Sequence, residues 1–170
     1  MDMTTVARLR EFLRGSTLRE VSLGYQSVAL IEPEAAALAD ALIGYAVDPS
    51  GQALAGTHEG DGRREWIVIG NDDLVGDPLF ADTADPAWPV YTAAHGQGRW
   101  TPERVADSFP KFLAALELVR EAATGRETPT ALDANPLPEA EAVRLLHEIA
   151  RRNPGAEPAF WEDWLRQNDG

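Results

Sequence analysis

A chain of 170 residues, 44% hydrophobic and 25% charged, is long enough to bury the core of one domain. It has no cysteine, which excludes disulfides, thiolate catalysis and Cys-ligated zinc or iron–sulfur sites. Its net charge of −13, from 28 acidic and 15 basic residues, opposes binding to nucleic acid or an anionic membrane and favours a basic protein partner.

No apolar run approaches the roughly 20 residues needed to cross a bilayer. The start, MDMTTVARLREFLRG, lacks the basic opening and apolar core of a signal peptide, so cytoplasmic residence is expected. Thr4 or Thr5 can cap a first helix carrying Val6, Leu9, Phe12 and Leu13 at helical spacing, and Gly15 stops it. After a mixed stretch, residues 27–31 suit a short strand. EAAALADALI (34–43), entered through Pro33, reads as a helix with Leu38, Ala41 and Leu42 inward. Residues 45–48 and 53–57 flank PSGQ as a hairpin, and HEGDGRRE (58–65) is a polar loop.

Three stronger strand signals follow at 66–69, 79–82 and 90–94, with Gly, Asp and Pro at the breaks, suggesting an antiparallel meander. Ser108 opens the clearest helix, where Phe109, Phe112, Leu113, Leu116 and Val119 form one stripe and Gly125 ends it. Pro110 is tolerated in its first turn. GRETPTALDANP (125–136) reads as a linker. Residues 139–152 form a helix with Val143, Leu146, Ile149 and Ala150 inward and Arg144, Glu148 and Arg152 as an i,i+4 series. Pro158 opens a last helix with Phe160, Trp161, Trp164 and Leu165, whose apolar face is expected to dock on the same domain. Helices at both ends, strands between and no βαβ alternation give an α+β fold.

The densest chemistry is WIVIGNDDLVGDPLFADT (66–83), where Asp72, Asp73, Asp77 and Asp82 fall close together without a basic residue. A calcium loop needs oxygen ligands at alternate positions and a closing Glu; Leu74 and Val75 break the alternation and no Glu follows. Turn chemistry explains these acids: Asn71, Asp72 and Asp73 bend the chain, and Gly76, Asp77 and Pro78 make a second turn. His58, His95 and His147 do not stand at ligand spacing, and nucleophile-elbow, phosphate-loop and dinucleotide motifs are missing. Neither a metal nor a cofactor is therefore expected, and a small-molecule substrate is disfavoured. The enzymatic alternative is a metal-assisted hydrolase using His95 or His58 with Asp77 or Asp82.

WIVIGNDDLVGDPLFADT, PVYTAAHGQGRW and VADSFPKFLAAL, in that order between Trp66 and Leu116, resemble the SUKH superfamily of fungal cell-wall-synthesis regulators and bacterial immunity proteins. The stretch before Trp66 lacks the Leu-Pro motif and Asn-Gly-Gly-like turn common in that family. The resemblance implies a strongly bent antiparallel central sheet flanked by N- and C-terminal helices, without catalysis. Residues 1–124 would be the SUKH-like domain, and 125–170 a linker and helical extension packed on it.

The motif residues then serve as scaffold: Trp66, Gly70, Gly76, Asp77, Pro78, Phe80 and Asp82 in the first piece, and Pro89, Val90, Tyr91, His95, Gly96 and Trp100 in the second. Ser108, Phe109, Phe112 and Leu113 complete the third. The implied function is an immunity protein that neutralises a cognate, basic toxin such as a nuclease through an acidic surface. Asp72, Asp73, Asp85, Glu162 and Asp163 are the candidate contacts. A regulatory or scaffolding interaction protein is the alternative within the same family.

Overall fold

Among the described residues, six strands follow one another through a single sheet in sequence order, each antiparallel to the next. The computed structural model describes residues 3–34, 49–50, 52, 54–56, 58–72, 74, 76–94 and 99–166. The helix expected after Glu34 lies outside the described residues, as do 45–48, 53 and 57 of the expected hairpin and the site candidates Asp73, His95 and Gly96.

The strands are β1 (Glu20–Leu23), β2 (Gln26–Leu30), β3 (Trp66–Asp72), β4 (Pro78–Asp82), β5 (Val90–Thr92) and β6 (Glu103–Ala106). Two of them, β1 and β6, correct the sequence reading, which left both segments irregular. In β1, Val21 and Leu23 alternate into the core, and Gly24 turns the chain with φ 60°. In β6, a strand of four residues too short to show a period, Val105 and Ala106 are buried.

The sheet curls into a half-barrel. One cause is a register shift between Val68 and Gly70, where an extra residue bends β3. Gly70 is required there, because a Cβ would meet the Ala29 carbonyl oxygen at 2.3 Å.

The described helices are α1 (Met3–Arg14), α2 (Phe109–Ala123), α3 (Pro129–Ala134), α4 (Glu139–Arg152) and α5 (Ala159–Leu165). The Ser108 side chain accepts from the Lys111 N–H and caps α2, which lies against β1 and β6. Its Phe109, Phe112, Leu116 and Val119 join Ile67, Ile69, Leu79, Ala81 and Val90 in the main core. On α1, Phe12 meets Trp88 edge-on at 5.7 Å, and the Arg8 guanidinium lies 4.9 Å from the Trp88 ring.

The segment read as a linker contains α3, started by a Thr128 cap with Pro129 in the first turn, and Leu132 is buried. The face of α4 also differs from expectation. Ala142, Leu145 and Ile149 are buried, while Val143 and Leu146 are partly covered and Ala150 is exposed. Ile149 is common to both stripes, while Ala142 and Leu145 take the places expected of Val143 and Leu146, a rotation of less than about 100° selected by packing against α2. Of the expected Arg144–Glu148–Arg152 series the Glu148–Arg152 pair forms, and Arg151 takes the second place on Glu148 that was assigned to Arg144.

Candidate functional site

The acidic hairpin between β3 and β4 is built by its own carboxylates. Asp72 accepts from the Leu74 N–H through Oδ1 at 2.7 Å and from Gln26 Nε2 through Oδ2 at 2.7 Å. Its backbone accepts from Gly76 N and donates to Asp77 O, and Gly76 adopts φ 75° to close the loop. Asp72 is only 6% exposed, which corrects its place among the candidate contacts: both its oxygens are engaged inside the protein. Asp82 and Asp85 also accept from a backbone N–H two residues ahead, at Ala84 and Ala87, the geometry of Asx turns.

Gln26 joins two acidic segments far apart in sequence. Its side chain donates to Asp72, and its carbonyl accepts from Trp164 Nε1 at 3.2 Å. The β3–β4 hairpin and α5 thus each hold Gln26; on α5 Glu162 and Asp163 are exposed, and Glu162 lines a groove against α4. Tyr25, in the adjoining β1–β2 turn, and Leu74, in the acidic hairpin, are 56% and 62% exposed. Tyr25 and Leu74 thus stand exposed on neighbouring hairpin tips. Asp85 is not part of this surface, since it follows Asp82 at the opposite end of β4.

That opposite end holds a cleft of about 390 Å³. Trp66, Val68, Phe80, Asp82 and Tyr91 share the sheet face turned away from α2, by strict alternation along paired strands. Trp100 packs edge-on to Phe80 at 5.1 Å and lies 5.8 Å from Trp66. The 58–65 loop forms one wall, held by a 2.6 Å bond from Trp100 N to Gly60 O.

His58 lines this cleft with Asp82, but its carboxylate partner is Asp61, whose Oδ2 accepts from the His58 N–H and lies 3.3 Å from Nδ1. Asp77 belongs to the other end of the β3–β4 ladder, so the pairing of His58 with Asp77, one option of the enzymatic alternative, is not assembled. Among the described residues, no group of three or more His, Asp or Glu is placed to hold a metal ion. The sequence reading passed over the Trp66–Tyr91–Trp100 cleft; the available signal was the repeated placement of aromatic residues on one face of successive strands.

The charge of the surface is unevenly matched. Arg19, Arg99, Arg120 and Arg166 each pair with a glutamate, and Arg104 and Lys111 share Asp107. Arg151 and Arg152 converge on Glu148, and their hydrogen bonds pull its carboxyl down to about 2. Most cations are thus engaged within the chain, while the net charge remains −13. No helix of the described residues is long and apolar enough to cross a membrane.

Compared with protein-family models, with curated proteins and with solved structures, the chain matches none.

Proposed function

We propose that this chain is a non-catalytic protein-binding module of the SUKH immunity kind, which acts in the cytoplasm by covering a basic surface of a toxin. The observation that carries the reading is the convergence at Gln26: the β1–β2 turn and the acidic hairpin carry the exposed Tyr25 and Leu74 on neighbouring tips, and α5, also bonded to Gln26, carries the exposed Glu162 and Asp163. An exposed tyrosine and leucine supply the apolar anchor, and the surface carboxylates supply steering toward a cationic partner. The curled antiparallel sheet with flanking helices supports the family resemblance.

The test is co-expression with the protein encoded immediately upstream. A one-to-one complex, rescue from that protein's toxicity, and weaker association at high salt are expected. Absence of a complex together with absence of rescue overturns the reading. Tyr25→Ser combined with Leu74→Ser should preserve folding, since both side chains are exposed, and should weaken the complex about 10-fold or more.

A further inference from the structure

The cleft under the 58–65 loop lies at the far end of the β3–β4 ladder from Gln26, and its chemistry stands apart from the proposed immunity function. Its floor is aromatic: Trp66, Tyr91 and Trp100 are half-buried. Its walls carry three carboxylates, from Glu59, Asp61 and Asp82, against two guanidinium groups, from Arg63 and Arg99.

The Arg63 guanidinium already lies 5.4 Å from the centre of the Trp66 ring. Arg63 is exposed and reaches the ring from an irregular loop, so little holds it there beyond the cation–π attraction. Glu59 and Arg99 pair at 3.7 Å with side chains that are 95% and 61% exposed, a contact that water and salt weaken readily. The cleft thus combines a ring face able to take a planar cation with the Asp61 and Asp82 carboxylates, each of which has one oxygen not engaged by the His58 or Ala84 N–H to accept a guanidinium N–H.

We propose that the cleft binds an arginine side chain of a peptide or protein, stacked on Trp66 and hydrogen-bonded by Asp61 and Asp82, with Arg63 as an internal competitor for the same ring face. A lysine fits less well because its ammonium has no planar fork. An uncharged group of the same shape lacks both the cation–π attraction and the charge-assisted bonds.

The test titrates the full chain with three blocked tripeptides, Gly-Arg-Gly, Gly-Lys-Gly and Gly-citrulline-Gly, following tryptophan fluorescence and the indole N–H resonances. Saturable binding of the arginine peptide, with shifts at the Trp66 and Trp100 resonances, is expected; the citrulline peptide should bind about 10-fold more weakly. Arg63→Ala should tighten arginine binding roughly 2–5-fold by vacating the ring face, and Asp61→Asn, which keeps an acceptor for the His58 N–H, should weaken it. The proposal is overturned by absence of saturable binding to the unaltered chain, by equal affinity for arginine and citrulline, by weaker binding in a folded Arg63→Ala variant, or by displacement with a neutral oligosaccharide. Because the unaltered chain is titrated directly, a variant that fails to fold leaves the proposal open to refutation.

Discussion

Trp161 and Trp164 stack on α5 with ring centres 6.0 Å apart and planes inclined by 17°, and their indole N–H groups reach toward different parts of the sheet. Trp161 donates to Val105 O in β6, and Trp164 to Gln26 O in β2. One short helix thereby links the last strand of the half-barrel with the second. Glu157 N adds a 2.7 Å bond to Arg104 O, and Asn153 Oδ1 accepts from Asp107 N, so the C-terminal segment also covers β6, an edge of the sheet.

Trp161→Ala should cost about 3–5 kcal/mol, because it empties a buried ring site and strands the Val105 carbonyl. Trp164→Phe keeps most of the buried area and loses the bond to Gln26, for about 1–2 kcal/mol. Urea unfolding midpoints of the two variants should fall in that order. Equal losses would contradict the separate roles of the two rings.

Asp72 is a turn builder, and its removal should act on stability. Asp72→Ala leaves the Leu74 N–H and the Gln26 amide without their acceptor, a loss of about 1–3 kcal/mol. Asp72→Asn retains one acceptor oxygen and should lose less. Calcium, magnesium or manganese should leave the melting temperature of the unaltered protein unchanged; a saturable rise would show that the acidic hairpin binds a cation.

Gly70→Ala tests the close approach of β2 and β3. The added methyl would sit 2.3 Å from the Ala29 carbonyl oxygen, which is backbone and cannot swing aside, so a loss of about 3 kcal/mol is expected. Gly125→Ala offers the contrast. Its nearest neighbour lies at 4.0 Å, and only the φ of +75° opposes a side chain, at about 1 kcal/mol. Chemical denaturation of both variants separates collision from backbone strain.

Glu148 sets part of the acid sensitivity. Hydrogen bonds from Arg151 and then Arg152 lower its carboxyl from an ordinary 4.5 to about 2. A folded-state value below the unfolded one means that the contribution is present above about pH 4.5 and is lost as the pH falls toward 2. Melting temperatures of the parent and Glu148→Gln should therefore differ at neutral pH and converge on acidification. High salt should shrink the difference, since the pair lies at the surface. A difference that persists unchanged at pH 2 would rule out the ion pair as its origin.

The helices Met3–Arg14, Phe109–Ala123 and Glu139–Arg152 were legible because caps, stop residues and a 3.6-residue period act over a few neighbouring positions. The central strands were legible through their β-branched and aromatic content and the Gly, Asp and Pro residues at their breaks. The strand at Glu103–Ala106 was not, since four residues carry no usable period. The helix at Pro129–Ala134 was missed although Thr128 and Pro129 carried its start signal; its six residues resembled a loop in composition.

What the sequence by itself determined was the α+β class, most of the elements and the turn chemistry of the acids, all consequences of short-range sterics and hydrogen bonding. The tertiary structure alone decided that α4 buries Ala142 and Leu145 ahead of Val143 and Leu146, that Asp72 turns inward to Gln26, and that Trp66, Tyr91 and Trp100 enclose one cleft. Those outcomes depend on surfaces brought together across as many as 138 positions of chain, as between Gln26 and Trp164, where no local period carries information.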